Sequence, residues 1–275
     1  MIGMAAHSHG HGSDLEGLPV FASAAALAAV YLVLAIRAYR DPRGWSAWRI
    51  ASFLGGIALA VAALAPTSPF PPDDFRSHML QHLVIGMYAP LALVMGAPIT
   101  LVLRSVPAST GRRIGRALHS RPAALLSHPV TGLVLTIGGM AVLYFTPLYG
   151  ATATSPLLHD AVHLHFLLAG YLFAFSIAGP DPAPHRPSVP FRLVVLGVAI
   201  AAHASLAQLI YAGALVQIPA PPVELRGAAD LMYYGGDIAE LLLAVGLVST
   251  WRPARAATRA RRSIGARASA NFPLT

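Results

Sequence analysis

Two histidine pairs stand out in a chain of 275 residues that contains no cysteine. Ser77-His78-Met79-Leu80-Gln81-His82 and His159-Asp160-Ala161-Val162-His163 each place histidines four residues apart. On an α-helix that spacing sets both rings on one face, about one turn apart. Imidazole is a ligand for copper, zinc, iron and nickel, and thioether favours Cu(I). With no thiol available, metal chemistry must use His, Met, carboxylate or amide groups, and thiol redox chemistry is excluded. Met79 adjoins His78, and Met87 and Met95 follow it. Asp230, Tyr233, Tyr234, Asp237 and Glu240 form a third polar group, with offsets that mark one stripe on an otherwise apolar helix. His7-Ser8-His9-Gly10-His11 could collect metal on a tail of small and polar residues. The expected ligands are His78, His82, His159, His163 and Asp237, with Asp160, His203, Met79, Glu240, His7, His9 and His11 in supporting roles.

One such pair at a membrane interface needs no function. Two pairs at one depth, beside carboxylates, are harder to assign to chance. Other polar residues read as structural. His165 lies about 160° from His163 on the helical wheel, and His203 about 140° from Gln208, so neither couple shares a face. His119, His128 and His185 fall in or near loops.

The elements that must position these groups are membrane helices. Mean hydropathy is +0.61, with 56% hydrophobic and 11% charged residues, against about 25% charged in soluble domains. That excludes a soluble enzyme, a nucleic-acid reader and a disulfide-stapled secreted domain. Seven apolar stretches approach the roughly 20 residues needed to cross a bilayer: 20–36, 50–64, 78–97, 130–145, 157–177, 191–212 and 230–250. Nothing positive precedes the first, and Arg37, Arg40 and Arg43 follow it, which reads as an anchor with its N-terminus outside. All 19 basic residues are Arg, and with that orientation only Arg76 and Arg226 fall outside. The net charge of +8 therefore follows topology rather than nucleic-acid binding. The expected architecture is all-α: an external His-containing tail (1–18), a seven-helix transmembrane domain (19–252), and a basic cytoplasmic tail (253–275), disordered and resting on anionic lipid. This topology puts both histidine pairs roughly 3–9 Å below the outer surface. A bundle joining the third, fifth and seventh helices would converge them with the carboxylates.

The run Ser77 to Leu83, with Ala89-Pro90 and Gly96-Ala97-Pro98, resembles the CtaG family of cytochrome c oxidase assembly factors. Further matches follow in order: His128-Pro129, Pro147-Leu148-Tyr149, the His159, His163 and His165-Phe166 block, Gly179-Pro180-Asp181-Pro182, His203, and Gly235-Gly236-Asp237 with Glu240. The resemblance covers roughly residues 20 to 252. Two departures are visible. Phe145-Thr146 stands where many relatives carry Trp-His, and the seventh stretch lacks a Trp often found between its glycines and glutamate. The resemblance implies a non-enzymatic assembly factor in the cell (plasma) membrane that handles copper for a haem–copper oxidase. Its partners would be oxidase subunits or other assembly factors. Two other readings stay open: a bis-histidine haem b protein, and a metal- or proton-coupled transporter with His203 and Glu240 as relay groups.

Overall fold

The computed structural model describes residues 18–65, 68–71, 73–183, 185–249 and 251. The expected collector His7, His9 and His11 and the basic tail lie outside the described residues. All regular structure among the described residues is helical, as expected where hydrocarbon leaves backbone groups no partner but one another. Among the described residues, six helices are long and apolar enough to cross a membrane. A further apolar helix of 17 residues, Pro129–Phe145, fills the place of the fourth expected stretch.

In chain order these are α1 (Leu18–Tyr39), α2 (Ala47–Leu64), α3 (Phe75–Leu83), a π-helical turn (Val84–Tyr88), α4 (Ala89–Met95), α5 (Pro98–Ser105), α6 (Ala108–Leu118), α7 (Arg121–Leu126), α8 (Pro129–Phe145), α9 (Leu148–Thr152), α10 (Pro156–Ala178), α11 (Val189–Ala212) and α12 (Pro222–Ser249). Capping chemistry sets the starts. Asp74 accepts from the Arg76 N–H, Ser155 from the Leu158 N–H ahead of Pro156, and His128 Nδ1 from the Val130 N–H ahead of Pro129. The seventh helix begins at Pro222, eight residues before the expected start at 230. Hydropathy marks only the apolar part, and Glu224, Arg226 and Asp230 occupy its first turns.

The third stretch is not one straight helix. Pro90 has no N–H to give the Gly86 carbonyl four residues earlier, and a π-helical turn forms there. After Gly96 the chain turns at Ala97, whose φ of 52° is left-handed, before α5 starts. Asp181, 2% exposed, holds that break closed. Its carboxylate accepts from the backbone N–H groups of Ile99 (3.0 Å) and Thr100 (2.7 Å) and from the Thr100 hydroxyl (2.6 Å). On the other side of this loop, Arg186 donates to the carbonyls of Phe175, Gly179 and Asp181, covering the end of α10. Burial pulls its guanidinium pKa down to about 10.

The expected convergence of the third, fifth and seventh stretches is present. α10 packs along the π-turn and α4, while α12 packs along α3, α10 and α11. α8 closes the group against α10 and α11, and α1 and α2 sit to one side. The third and fifth helices touch backbone to backbone at Gly86 and Gly170, where a Cβ on Gly170 would run into the Gly86 carbonyl.

Candidate functional site

The site forms where α3 enters the bundle. Arg76 clamps both oxygens of Asp74, Nε reaching Oδ1 at 3.0 Å and Nη2 reaching Oδ2 at 2.5 Å, and the Glu224 carboxylate accepts from the Phe75 N–H at 3.1 Å. These contacts fix the first turn of α3 and so the ring of His78. Phe75 lies parallel to that ring at 5.8 Å, Tyr149 meets it edge-on at 5.0 Å, and the Tyr144 hydroxyl lies 3.4 Å from His78 Nε2. Burial, with Glu224 and Asp74 nearby, pushes the Tyr149 hydroxyl pKa up to about 12, so it is a neutral phenol at physiological pH.

Across the helix interface His163 faces His78, with ring centres 6.4 Å apart and nearly parallel, and His159 meets His163 edge-on at 4.4 Å. Two imidazoles on one ion, each bonded at about 2 Å, have ring centres roughly 5–6 Å apart. His163 is 8% exposed, and neither ring nitrogen has a hydrogen-bond partner. Buried polar groups are ordinarily paired; one of these nitrogens could bind an ion, while the other would carry the ring proton.

His82, the other member of its pair, sits one turn deeper and belongs to a lower level. Its ring packs edge-on against Phe166 at 4.5 Å, and both nitrogens are buried and unpartnered. It lines a cavity of about 40 Å3 together with Met87, Thr136, Met140, His203 and Glu240. His203 Nδ1 stands 3.9 Å from Glu240 Oε1, too far for a hydrogen bond. Gly236 leaves the space the His203 ring occupies.

The expected polar stripe on α12 divides. Asp230 and Tyr234 are exposed, Tyr233 and Asp237 half-buried, and Glu240 buried. Glu240 is the carboxylate that meets an imidazole. Among the described residues, Asp237 makes no hydrogen bond or ion pair with a histidine. Asp160 is exposed beside the α10 pair, and Met79 is fully buried with Phe75, Met140 and Tyr144 as core. His165 Nε2 lies 3.1 Å from the Leu135 carbonyl, in keeping with its reading as a packing residue. Gln208 is exposed. Sequence reasoning missed Tyr144, Thr136 and Met140. All three lie on α8, where nothing in their spacing separates them from ordinary core. Among the described residues no three His or carboxylate side chains are arranged to hold one ion between them.

Fold and site together define a multi-helix membrane protein with unpaired imidazoles buried between its helices. The model of the cytochrome c oxidase caa3 assembly factor family (Caa3_CtaG) matches residues 29–254. The chain belongs to that family. It is 33% identical over 191 residues to an uncharacterized protein of Mycobacterium leprae, covering 66% of this chain and 29% of that one. A second relative, an uncharacterized protein of Mycobacterium bovis, is 35% identical over 173 residues, covering 60% of this chain and 26% of that one. The chain thus spans under a third of the length of these relatives. No solved structure matches it.

Proposed function

We propose that the protein is a non-enzymatic assembly factor that binds copper near the outer face of the plasma membrane and supports its delivery to cytochrome c oxidase. In this reading copper is cargo. The chain crosses the membrane seven times with its N-terminus outside, α8 being the fourth crossing, and the arginine distribution supports that orientation. The observation that carries the proposal is His163 on α10, with both nitrogens buried and unpartnered and its ring centre 6.4 Å from that of His78 on α3. His78, His159 and His163 are the proposed outer ligands, and His82, one turn deeper, is a proposed ligand of the lower level. Asp237 is a proposed ligand or imidazole-orienting carboxylate, and Asp160 lies beside the α10 pair.

Metal analysis and an optical spectrum of the purified protein in detergent test this. Stoichiometric copper without a Soret band is expected, and His163→Ala should lose the copper held by the outer histidines. A Soret band would replace this reading with the haem b alternative. Asp237→Asn keeps the side-chain shape and removes its charge. If Asp237 orients an imidazole, copper affinity should fall about 10–100-fold; affinity equal to the parent's would remove Asp237 from the site.

Deleting residues 1–12 should slow loading at limiting copper and leave final occupancy unchanged, because tail histidines can raise local supply but cannot fix geometry. Lost occupancy at saturating copper would make the tail a true ligand.

A further inference from the structure

The cavity below the outer histidines has its own donor set, drawn from four helical stretches. His82 and Met87 come from the third, Met140 from α8, His203 from α11 and Glu240 from α12. His82, His203 and Glu240 are 3%, 2% and 4% exposed. Among the described residues, both nitrogens of His82, Nε2 of His203 and Oε2 of Glu240 have no hydrogen-bond partner. Unpaired polar atoms on three side chains around one space are costly to bury and point to a ligand that joins the three side chains. We propose that this cavity is a second, intramembrane site for a single Cu(I) ion, held by the imidazoles of His82 and His203 and the thioethers of Met87 and Met140, with the Glu240 carboxylate balancing its charge. The metal's identity rests on the copper reading above; the site itself rests on the cavity.

Size, donor softness and charge each narrow the ligand. At about 40 Å3 the cavity takes an ion or a few waters but no haem or organic substrate. Leu91, Leu133, Ile137, Phe173 and Leu243 make the remaining wall apolar. A hard cation wants six or more oxygens, and here only Glu240 and Thr136 offer side-chain oxygen. Imidazole and carboxylate do not suffice by themselves, since among the described residues no three are arranged around one ion. The thioethers complete the set, and thioethers select Cu(I). One positive charge beside one carboxylate is neutral overall, whereas a divalent ion would leave a net charge in hydrocarbon.

The π-turn explains how two of the donors meet. Residues five apart on an α-helix point about 140° away from each other. Where hydrogen bonds run i to i+5, residues five apart come round toward one side. Val84–Tyr88 is such a turn, starting two residues after His82 and containing Met87, and both residues line the cavity.

The test uses the full chain in lipid nanodiscs, titrated anaerobically with Cu(I) against a chromogenic Cu(I) chelator and examined by X-ray absorption at the copper edge. A His159→Ala/His163→Ala double variant, which disables the outer group, should still bind one Cu(I), with sulfur scattering near about 2.3 Å. Adding Met87→Leu and Met140→Leu, swaps that conserve volume, should abolish the sulfur signal and lower Cu(I) affinity at least about tenfold. Copper bound by the parent but not by the outer-disabled variant overturns the inner site and leaves the outer reading standing. Copper bound by neither overturns both. Nitrogen-only scattering that the leucine variants do not change also overturns the inner site.

Discussion

Gly170→Leu should be among the most damaging single substitutions in this chain, lowering stability by about 3 kcal/mol, the upper end of typical overpacking costs. A Cβ at residue 170 would meet the Gly86 carbonyl carbon at 2.9 Å and Pro90 Cγ at 3.1 Å, besides overlapping the Gly86 oxygen. None of these atoms belongs to a flexible side chain that could swing away. Small residues at such crossings let membrane helices approach closely. The Gly86 carbonyl also lacks the partner that residue 90 would supply if it were not proline. Forcing the helices apart separates His78 from His163 and opens the cavity beside His82, so copper binding should fall with stability. Thermal unfolding in detergent checks the first effect, and metal analysis at a temperature where the variant is folded checks the second. A Gly170→Leu protein that melts with the parent would show that the two backbones need not touch.

Asp181→Ala should cost on the order of 3 kcal/mol, by leaving three donors at the start of α5 without their acceptor. These are the N–H groups of Ile99 and Thr100 and the Thr100 hydroxyl. Removing a helix cap alone typically costs about 1 kcal/mol, and here the cap is buried and charge-assisted. Asp181→Asn keeps one acceptor oxygen and should fall between parent and alanine. Asp181 lies on the side of the bundle away from the histidines, so copper stoichiometry measured well below the melting temperature should not change. Equal melting temperatures for all three proteins would mean that the α5 break at Ala97 does not depend on the carboxylate.

Much of this was legible in the sequence. Hydropathy located six long apolar helices and the shorter α8, because a run of apolar residues in lipid has no alternative to satisfying its own backbone. The i, i+4 spacing set each histidine pair on one face, and the ordered motifs from Ser77 to Glu240 pointed to the family that the match over 29–254 establishes. Periodicity reports angles about a helix's own axis; it does not say which neighbour each angle meets. Only the tertiary structure could put His78 opposite His163 while His82, one turn below, joined His203 and Glu240. The same limit divided the α12 stripe, where Tyr234 and Glu240 differ by about 120° on the wheel, enough for one to face outward and the other into the core. The π-turn before Pro90 and the closure of α5 by Asp181 were likewise outside local pattern. The first shifts the register below it, and the second joins residues 81 or more positions apart in the chain.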